Sequence, residues 1–412
     1  MPSHREARLR LSSIAQTVAF SLILVTALLA LQGRAQQQAT SAPKPPRPQQ
    51  LDKDIEYVRD PETGELRAVP KRSASSAAPA PAGPPGGGFA IRSRVSLVEI
   101  SCSAIAATGE PLRNLTREDF QLSADGAPHP VSHFDSSTEP AHIALVLDAS
   151  PSEFHSLDEM KSAARAFTSE LSPRDEVAVV AFAGHPHQLL PFSTDRKQLE
   201  TALGRIQLLR AVEETGSNIY GSVYLTARRL FTGPHAPTGR KAIVLLTDGQ
   251  DSGLSLNWNP ASMFPPKNEK ANYLTFEDVV RELATVGIEI FVISTENRPK
   301  GVTDAWLAAH SKATLISDAT HAMEIPTYTV FLAEFVRRVG GQLYFLREIG
   351  SLSDVYRRIA IALRTEYTLG FYPSAAASAR GWHSVDVQFA GPKAQAGARL
   401  DCRPSYYIPA SQ

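Results

Sequence analysis

The feature that most constrains this chain is a short apolar segment that ends abruptly in small polar residues. Residues 143–147 are all aliphatic, and Asp148, Ser150 and Ser152 follow directly. A bounded apolar run of this kind is typical of a strand buried on both faces, although periodicity alone does not exclude a buried helix. Open α/β sheets bind their ligands at the carboxyl ends of the strands. We therefore expect the three polar side chains at such an edge, where their oxygens suit Mg²⁺, Ca²⁺ or Mn²⁺.

Further segments of the same kind follow along the chain. Residues 241–247 form a second apolar run that ends in Asp248 and Gly249, and Ser217 precedes a helical-looking segment, residues 219–230. Strand and helix patterns continue to alternate after this point. Such alternation predicts an α/β fold with a doubly wound, mostly parallel sheet flanked by helices.

Local signals also place several helix ends. Thr194 is expected to cap a helix that begins at the next residue. Thr275 is expected to cap the following helical pattern, and Gly287 to end it. Pro326 is expected early in a later helix, because proline is tolerated in a first helical turn.

Together these segments resemble the von Willebrand factor type A (VWA) domain and its metal-ion-dependent adhesion site. The family signature is Asp-x-Ser-x-Ser, a separate Thr, and a strand-terminal Asp within Thr-Asp-Gly. The chain matches the first and third elements, and Ser217 stands where the family usually has Thr. The resemblance implies a Rossmann-like domain that holds a divalent cation, Mg²⁺ foremost, with Mn²⁺ or Ca²⁺ as alternatives. The implied ligands are Asp148, Ser150, Ser152, Ser217 and Asp248.

The resemblance also implies a mode of recognition. The ion keeps an open coordination position, which an Asp or Glu carboxylate from a protein partner completes. Because most of its ligands are neutral hydroxyls, the ion retains positive charge and attracts an anion.

An export signal is predicted at the N-terminus. Residues 1–35 combine a basic start, an apolar stretch over residues 18–31, and the small residues Gly33 and Ala35 near a cleavage site. An uncleaved membrane anchor is the alternative, although the apolar stretch is short for a span. We expect an exported protein that is periplasmic, at the cell surface or secreted, with membrane contact only through an uncleaved N-terminal segment.

Composition divides the remaining chain into a linker and three folded parts. Residues 36–90 are rich in Pro and Gly, which predicts a disordered linker. A charged island within it, residues 52–72, is expected to stay solvated. Period-two patterns at residues 91–138 and 366–412 predict β-segments on either side of the VWA domain, residues 139–365.

These flanking segments resemble the VWFA-related family described from acidobacteria. Residues 115–120 match its Leu-Thr-x-x-Asp-Phe stretch, and Asp125-Gly126 match its hairpin. Residues 367–373 match its Tyr-x-Leu-Gly-Tyr-Tyr-Pro strand, with Phe371 at one Tyr position, and residues 403–407 match its closing stretch in part. We infer that both segments form one small β-sandwich beside the VWA domain.

The chain has only two cysteines, and they fall in the two flanking segments. Cys102 and Cys402 lie in different predicted strand sets. An exported chain reaches an oxidising compartment, where such a pair can form a disulfide. Two separate buried thiols are the alternative.

Other chemistry is sparse in the sequence. The 42 basic and 42 acidic residues balance, so the charge gives no indication of a nucleic-acid partner. Neither a Gly-x-Ser-x-Gly nor a His-Glu-x-x-His motif is present, and we expect no enzyme. Glu153 and Asp158, near the implied ion, would act as a general base only beside a positioned substrate. His185 and His187 are expected to be solvated loop residues.

Two questions stay open at the level of sequence. The long connection from Gly249 to Leu274 either contacts a ligand or packs back on its own domain. The rival functions are a metal-independent structural or assembly scaffold with a VWA fold and, with less support, a hydrolase or chelatase-like subunit.

Overall fold

The structure is a computed structural model of the chain. It describes residues 48–61, 65–71, 97–108, 112–136, 140–155, 157–206, 216–252, 274–307, 325–346, 352–364, 366–374, 379–390 and 397–409. The predicted signal peptide, most of the predicted linker and most of the connection that follows Gly249 lie outside the described residues.

The described residues form 17 strands and seven α-helices. The strands are β1 Gln49–Gln50, β2 Ile55–Arg59, β3 Leu66–Pro70, β4 Val98–Ile105, β5 Phe120–Ala124, β6 Ala127–His129, β7 His133–Asp135, β8 Ala141–Asp148, β9 Glu176–Phe182, β10 Pro186–Ser193, β11 Arg240–Thr247, β12 Ile288–Ser294, β13 Gly341–Phe345, β14 Glu366–Phe371, β15 Gly381–Phe389, β16 Arg399–Cys402 and β17 Ser405–Ile408. The helices are α1 Leu157–Glu170, α2 Arg196–Gly204, α3 Ile219–Leu230, α4 Phe276–Val286, α5 Asp304–Leu307, α6 Thr327–Val339 and α7 Leu352–Arg364. Arg117–Asp119 and Pro151–His155 are 3₁₀ helices.

A seven-stranded sheet in the order β1-β10-β9-β8-β11-β12-β13 forms the centre of the molecule. Strands β9, β8, β11, β12 and β13 are parallel, and β10 pairs antiparallel with both β9 and β1. The chain runs outward from β8 to β9 and β10 on one side and then returns to β11 on the other side. The strand order therefore reverses between β8 and β11, which is the position where such sheets form a ligand crevice. The predicted fold class is confirmed.

Helices cover both faces of this sheet because its central strands, such as β8 and β11, are apolar on both sides. One face packs against α3, α4 and α6. The opposite face packs against α1, α2 and α7. The central strands, such as β8, are almost fully buried, as their continuous aliphatic sequence predicts.

The predicted helix ends are partly confirmed. Thr275 and Asp278 form a capping box at the start of α4, and Gly287 ends the helix with a positive φ of 74°. The cap predicted for α2 is wrong by one residue. Asp195 caps that helix instead of Thr194, because its carboxylate accepts hydrogen bonds from two free backbone N–H groups of the first turn.

Two four-stranded sheets, β16-β4-β14-β7 and β17-β15-β5-β6, form the predicted sandwich. Each sheet combines strands from before and after the VWA region. The apolar side chains between them include Phe120, Tyr367, Phe371 and Tyr406. The module built from both flanking segments is therefore confirmed.

The two cysteines are joined in a disulfide. Cys402 on β16 lies directly opposite Cys102 on β4 in the antiparallel ladder. Their Cα atoms are 4.3 Å apart, and the bond links positions 300 residues apart in the sequence. The predicted pairing is confirmed, and the alternative of two free thiols is wrong.

The charged island differs from the expectation that it stays solvated. Strands β2 and β3 pair as a hairpin, and β1 extends the central sheet along β10. Leu51 and Leu66 are buried, and the ring of Tyr57 packs against Tyr224 of α3. Alternate residues of β2 are apolar, so one face of the hairpin covers the domain.

The expectation of solvated loop residues holds for His185, which is exposed just before β10, and is wrong for His187. Residues 186–193 form β10, and His187 lies within this strand. His185 Nδ1 is 2.5 Å from Asp52 Oδ2.

Within the described ranges, no helix combines the length and apolar character that a membrane span requires.

Candidate metal centre

The five implied ligands lie around the carboxyl ends of β8 and β11. Asp148 is the last residue of β8, and Asp248 directly follows β11. Ser217 comes just before α3, and the loop after β8 carries Ser150 and Ser152. Because β8 and β11 are neighbours in the sheet, residues that are 100 positions apart in sequence meet at one edge.

Asp148 organises the centre of this edge. Its Oδ2 atom accepts hydrogen bonds from the Ser217 hydroxyl at 3.0 Å and from the Thr247 hydroxyl at 2.7 Å. Its Oδ1 atom accepts from the Ser150 N–H at 3.0 Å. The residue is fully buried, and this burial raises the pKa of its carboxyl to about 6, although the hydrogen bonds lower it. The nearby negative charge of Asp248 contributes to this raised pKa.

The loop after β8 places one serine inside and one at the surface. Ser150 is buried, Ser152 is exposed, and their hydroxyl oxygens are 3.1 Å apart. The Ala149 N–H donates to the Phe182 carbonyl oxygen at 2.6 Å, which ties the start of the loop to the end of β9. Pro151 begins a 3₁₀ helix, a position where its missing N–H is tolerated.

Ser217 is held by the segment that follows Asp248. The Ser217 N–H donates to the Ser252 hydroxyl at 2.9 Å, and the Ser252 N–H donates to the Ser217 carbonyl oxygen at 2.7 Å. The Asp251 carboxylate accepts from the Ile219 N–H at 2.7 Å and so satisfies the start of α3. The beginning of the long connection thus positions Ser217. Its remainder, residues 253–273 with Trp258, Met263 and Phe264, lies outside the described residues.

Among the residues that the structure describes, one carboxylate oxygen of Asp248 has no donor. Its Oδ1 atom accepts from the Gln250 N–H at 2.8 Å. Its Oδ2 atom is buried and makes no hydrogen bond in the described part of the chain. A buried carboxylate oxygen needs either a donor or a cation. Two buried carboxylates beside three serine hydroxyls are oxygen ligands that fit a hard divalent cation.

The site also contains residues that sequence reasoning missed. Thr247 donates to Asp148, Ser252 holds Ser217, and Thr295 donates to the buried Glu153. The Thr-Asp-Gly pattern contains Thr247 but assigns it no role. No sequence signal links Ser252 with Ser217 or Thr295 with Glu153. Across the described ranges, His, Cys, Asp and Glu side chains form no metal-ligand group of three or more, so a cation here would depend on the hydroxyls as well.

Several solved structures match part of this chain. A von Willebrand factor type A protein from Catenulispora acidiphila is 13% identical, with 72% of this chain and 74% of that chain covered and a TM-score of 0.36. BatB from Bacteroides thetaiotaomicron is 16% identical, with 54% and 98% covered and a TM-score of 0.35. An aerotolerance-related membrane protein from Bacteroides fragilis is 20% identical, with 40% and 75% covered and a TM-score of 0.28.

The sequence itself matches a family model. No curated protein sequence matches this chain significantly. Residues 143–250 match the model of the von Willebrand factor type A domain. This span begins in β8 and ends two residues after Asp248, so it includes all five implied ligands. The chain therefore contains a von Willebrand factor type A domain.

Proposed function

We propose that this protein is an exported, adhesion-type binding module that recognises a carboxylate of a protein partner through a divalent cation. The observation that carries the proposal is the buried Oδ2 atom of Asp248, which has no donor among the described residues and lies near the fully buried Asp148. No ion pair neutralises either carboxylate within the described residues. A bound cation would remove the cost of burying both charges.

The residues of the site divide into two kinds of ligand. Ser150, Ser152 and Ser217 would bind the cation directly through their hydroxyls, and Asp148 and Asp248 directly or through water. When bound, the cation, foremost Mg²⁺, supplies a positive charge with an open coordination position for the partner's Asp or Glu. The protein contributes the buried edge and the hydrogen bonds that hold these oxygens in place.

The experiment is a thermal melt of the full chain in Mg²⁺, Mn²⁺, Ca²⁺ or chelator. A ligand that binds only the folded state stabilises it by about 2.7 kcal/mol at a hundredfold excess over its dissociation constant. We expect at least one ion to raise the melting temperature and Asp248→Ala to remove that increase. Asp386→Ala, which removes an exposed carboxylate on β15, is the matched control. This variant should show the same rise in melting temperature as the wild type.

The opposite results would favour the rival functions. An unchanged melting temperature in every ion, together with partner capture that persists in chelator, would support a metal-independent scaffold. Substrate turnover that Ser150→Ala abolishes would support a hydrolase or chelatase-like subunit and contradict the proposal that the protein is not an enzyme.

Location and closer family membership belong to the same proposal. The disulfide supports export, because such bonds persist in oxidising compartments. The matches at residues 115–120 and 367–373 support membership of the VWFA-related family described from acidobacteria.

A further inference from the structure

Glu153 is a buried acidic residue that the ligand set above does not use. It directly follows Ser152 and is only 2% exposed. A carboxylate is costly to bury unless hydrogen bonds compensate it. The Thr295 hydroxyl donates to its Oε1 atom.

This hydrogen bond reaches across the edge of the sheet. The loop that carries Glu153 leaves β8, whereas Thr295 directly follows β12, and β11 lies between these two strands. Neighbouring strands are about 4.8 Å apart, so the contact links chain ends that are about 10 Å apart. Glu153 therefore connects the serine loop to the far side of β11, the strand from which Asp248 emerges.

The contact also closes a ring of hydrogen bonds around the candidate site. The Thr295 N–H donates to the Thr247 carbonyl oxygen at 3.1 Å, and the Thr247 hydroxyl donates to Asp148. The Asp148 carboxylate accepts from the Ser150 N–H, and the Glu153 N–H donates to the Ser150 carbonyl oxygen at 3.1 Å. Removal of the bond between Glu153 and Thr295 would open the ring at the loop that carries the exposed Ser152.

We propose that Glu153 is a positioning residue for the cation site, and that its hydrogen bond with Thr295 holds Ser150 and Ser152 in their ligating arrangement. The inference rests on the proposed function. Glu153 acts through the loop, because its Oε1 atom accepts the Thr295 hydroxyl on the far side of β11. The role therefore requires a hydrogen-bond acceptor at this position and not a negative charge.

The test is calorimetric titration of Mg²⁺ into the full chain and five variants. We expect Glu153→Ala and Thr295→Val each to weaken Mg²⁺ binding about tenfold or more, as the loss of partners behind metal ligands typically does. The double variant should be no weaker than either single variant, because both remove the same interaction. Glu153→Gln should bind nearly as the wild type does, since its amide oxygen accepts from Thr295. Asp158→Ala, an exposed carboxylate on the neighbouring helix, is the control and should not change the affinity.

Each other outcome contradicts a defined part of the inference. Equal losses in the Gln and Ala variants would show that charge is what matters, and wild-type affinity in Thr295→Val would show that the bond is irrelevant. Either result overturns the proposed role and leaves the cation site standing. A wild type that binds none of Mg²⁺, Mn²⁺ and Ca²⁺ in such a titration overturns the proposed function itself. A thermal melt in chelator identifies any variant that fails to fold. If Glu153→Ala fails to fold, the Mg²⁺ affinity of Thr295→Val decides between the outcomes, because this variant replaces only one hydroxyl with a methyl.

Discussion

At the scale of single residues, Thr247 supports the centre of the candidate site. Its hydroxyl donates to Asp148 Oδ2 at 2.7 Å and accepts from the Gly249 N–H at 3.1 Å. It is fully buried at the end of β11. One side chain thus satisfies the carboxylate of the first motif and shapes the turn that carries Asp248.

Thr247→Val is expected to destabilise the protein in chelator by about 1.5–3 kcal/mol, the usual value of a buried hydrogen bond to a charged group. The substitution keeps the shape of the side chain but leaves Asp148 with one donor fewer. Urea unfolding in chelator measures the change. Thr238→Val, on an exposed loop, is the control and should stay near the wild type. Equal unfolding midpoints for Thr247→Val and the wild type would contradict this account of Asp148.

The sequence predicts only part of the site at this scale. The motifs place Asp148 and Asp248 at strand ends, and parallel strand ends meet at one edge. The contacts of Ser252 with Ser217 and of Thr295 with Glu153 join residues 35 and 142 positions apart. Such contacts depend on the register of the assembled sheet, which no local pattern contains.

At the scale of elements, the N-terminal hairpin is the largest difference from expectation. Its sequence is charged and contains Pro, but the packing of the hairpin against the folded VWA domain outweighs these local preferences. The Arg59 guanidinium donates to both Asp278 oxygens, at 3.2 and 2.8 Å, and Tyr224 Oη donates to the Leu66 carbonyl oxygen. Helix ends with a local cap, such as Thr275, are predictable, whereas an element stabilised by tertiary contacts is not.

Leu51→Ala tests whether this segment belongs to the folded unit. Leu51 is 2% exposed, and replacement of a buried Leu by Ala costs about 2–5 kcal/mol. We expect a lower unfolding midpoint for the full chain in urea. Val58→Ala, on β2 and 38% exposed, should have little effect. A solvated segment would instead leave the midpoint unchanged in both variants.

At the scale of the whole molecule, the VWA domain and the sandwich share a packed junction. The Trp382 ring N–H on β15 donates to Glu277 Oε1 at 2.7 Å, and the Arg338 guanidinium lies 4.9 Å from the centre of the Trp382 ring. The hairpin joins the same junction, because Tyr407 Oη donates to Glu65 at 3.2 Å. The VWA domain, the sandwich and the hairpin therefore contact one another through these side chains.

The disulfide is expected to stabilise this whole arrangement through the unfolded state. A cross-link that closes a loop of 300 residues is worth on the order of 5 kcal/mol by chain-entropy arithmetic. Because reduction leaves both side chains in place, the reduced wild type should unfold at a lower urea concentration than the oxidised protein. The dependence of its unfolding free energy on urea should also be steeper, since its unfolded chain exposes more surface.

A Cys102→Ala/Cys402→Ala variant should resemble the reduced wild type, and added reductant should not change it further. Peptide mapping without reduction should recover one linked pair. Identical unfolding of the oxidised and reduced protein would contradict this expectation. It would mean that contacts of the junction already hold the two cysteine segments together in the unfolded ensemble.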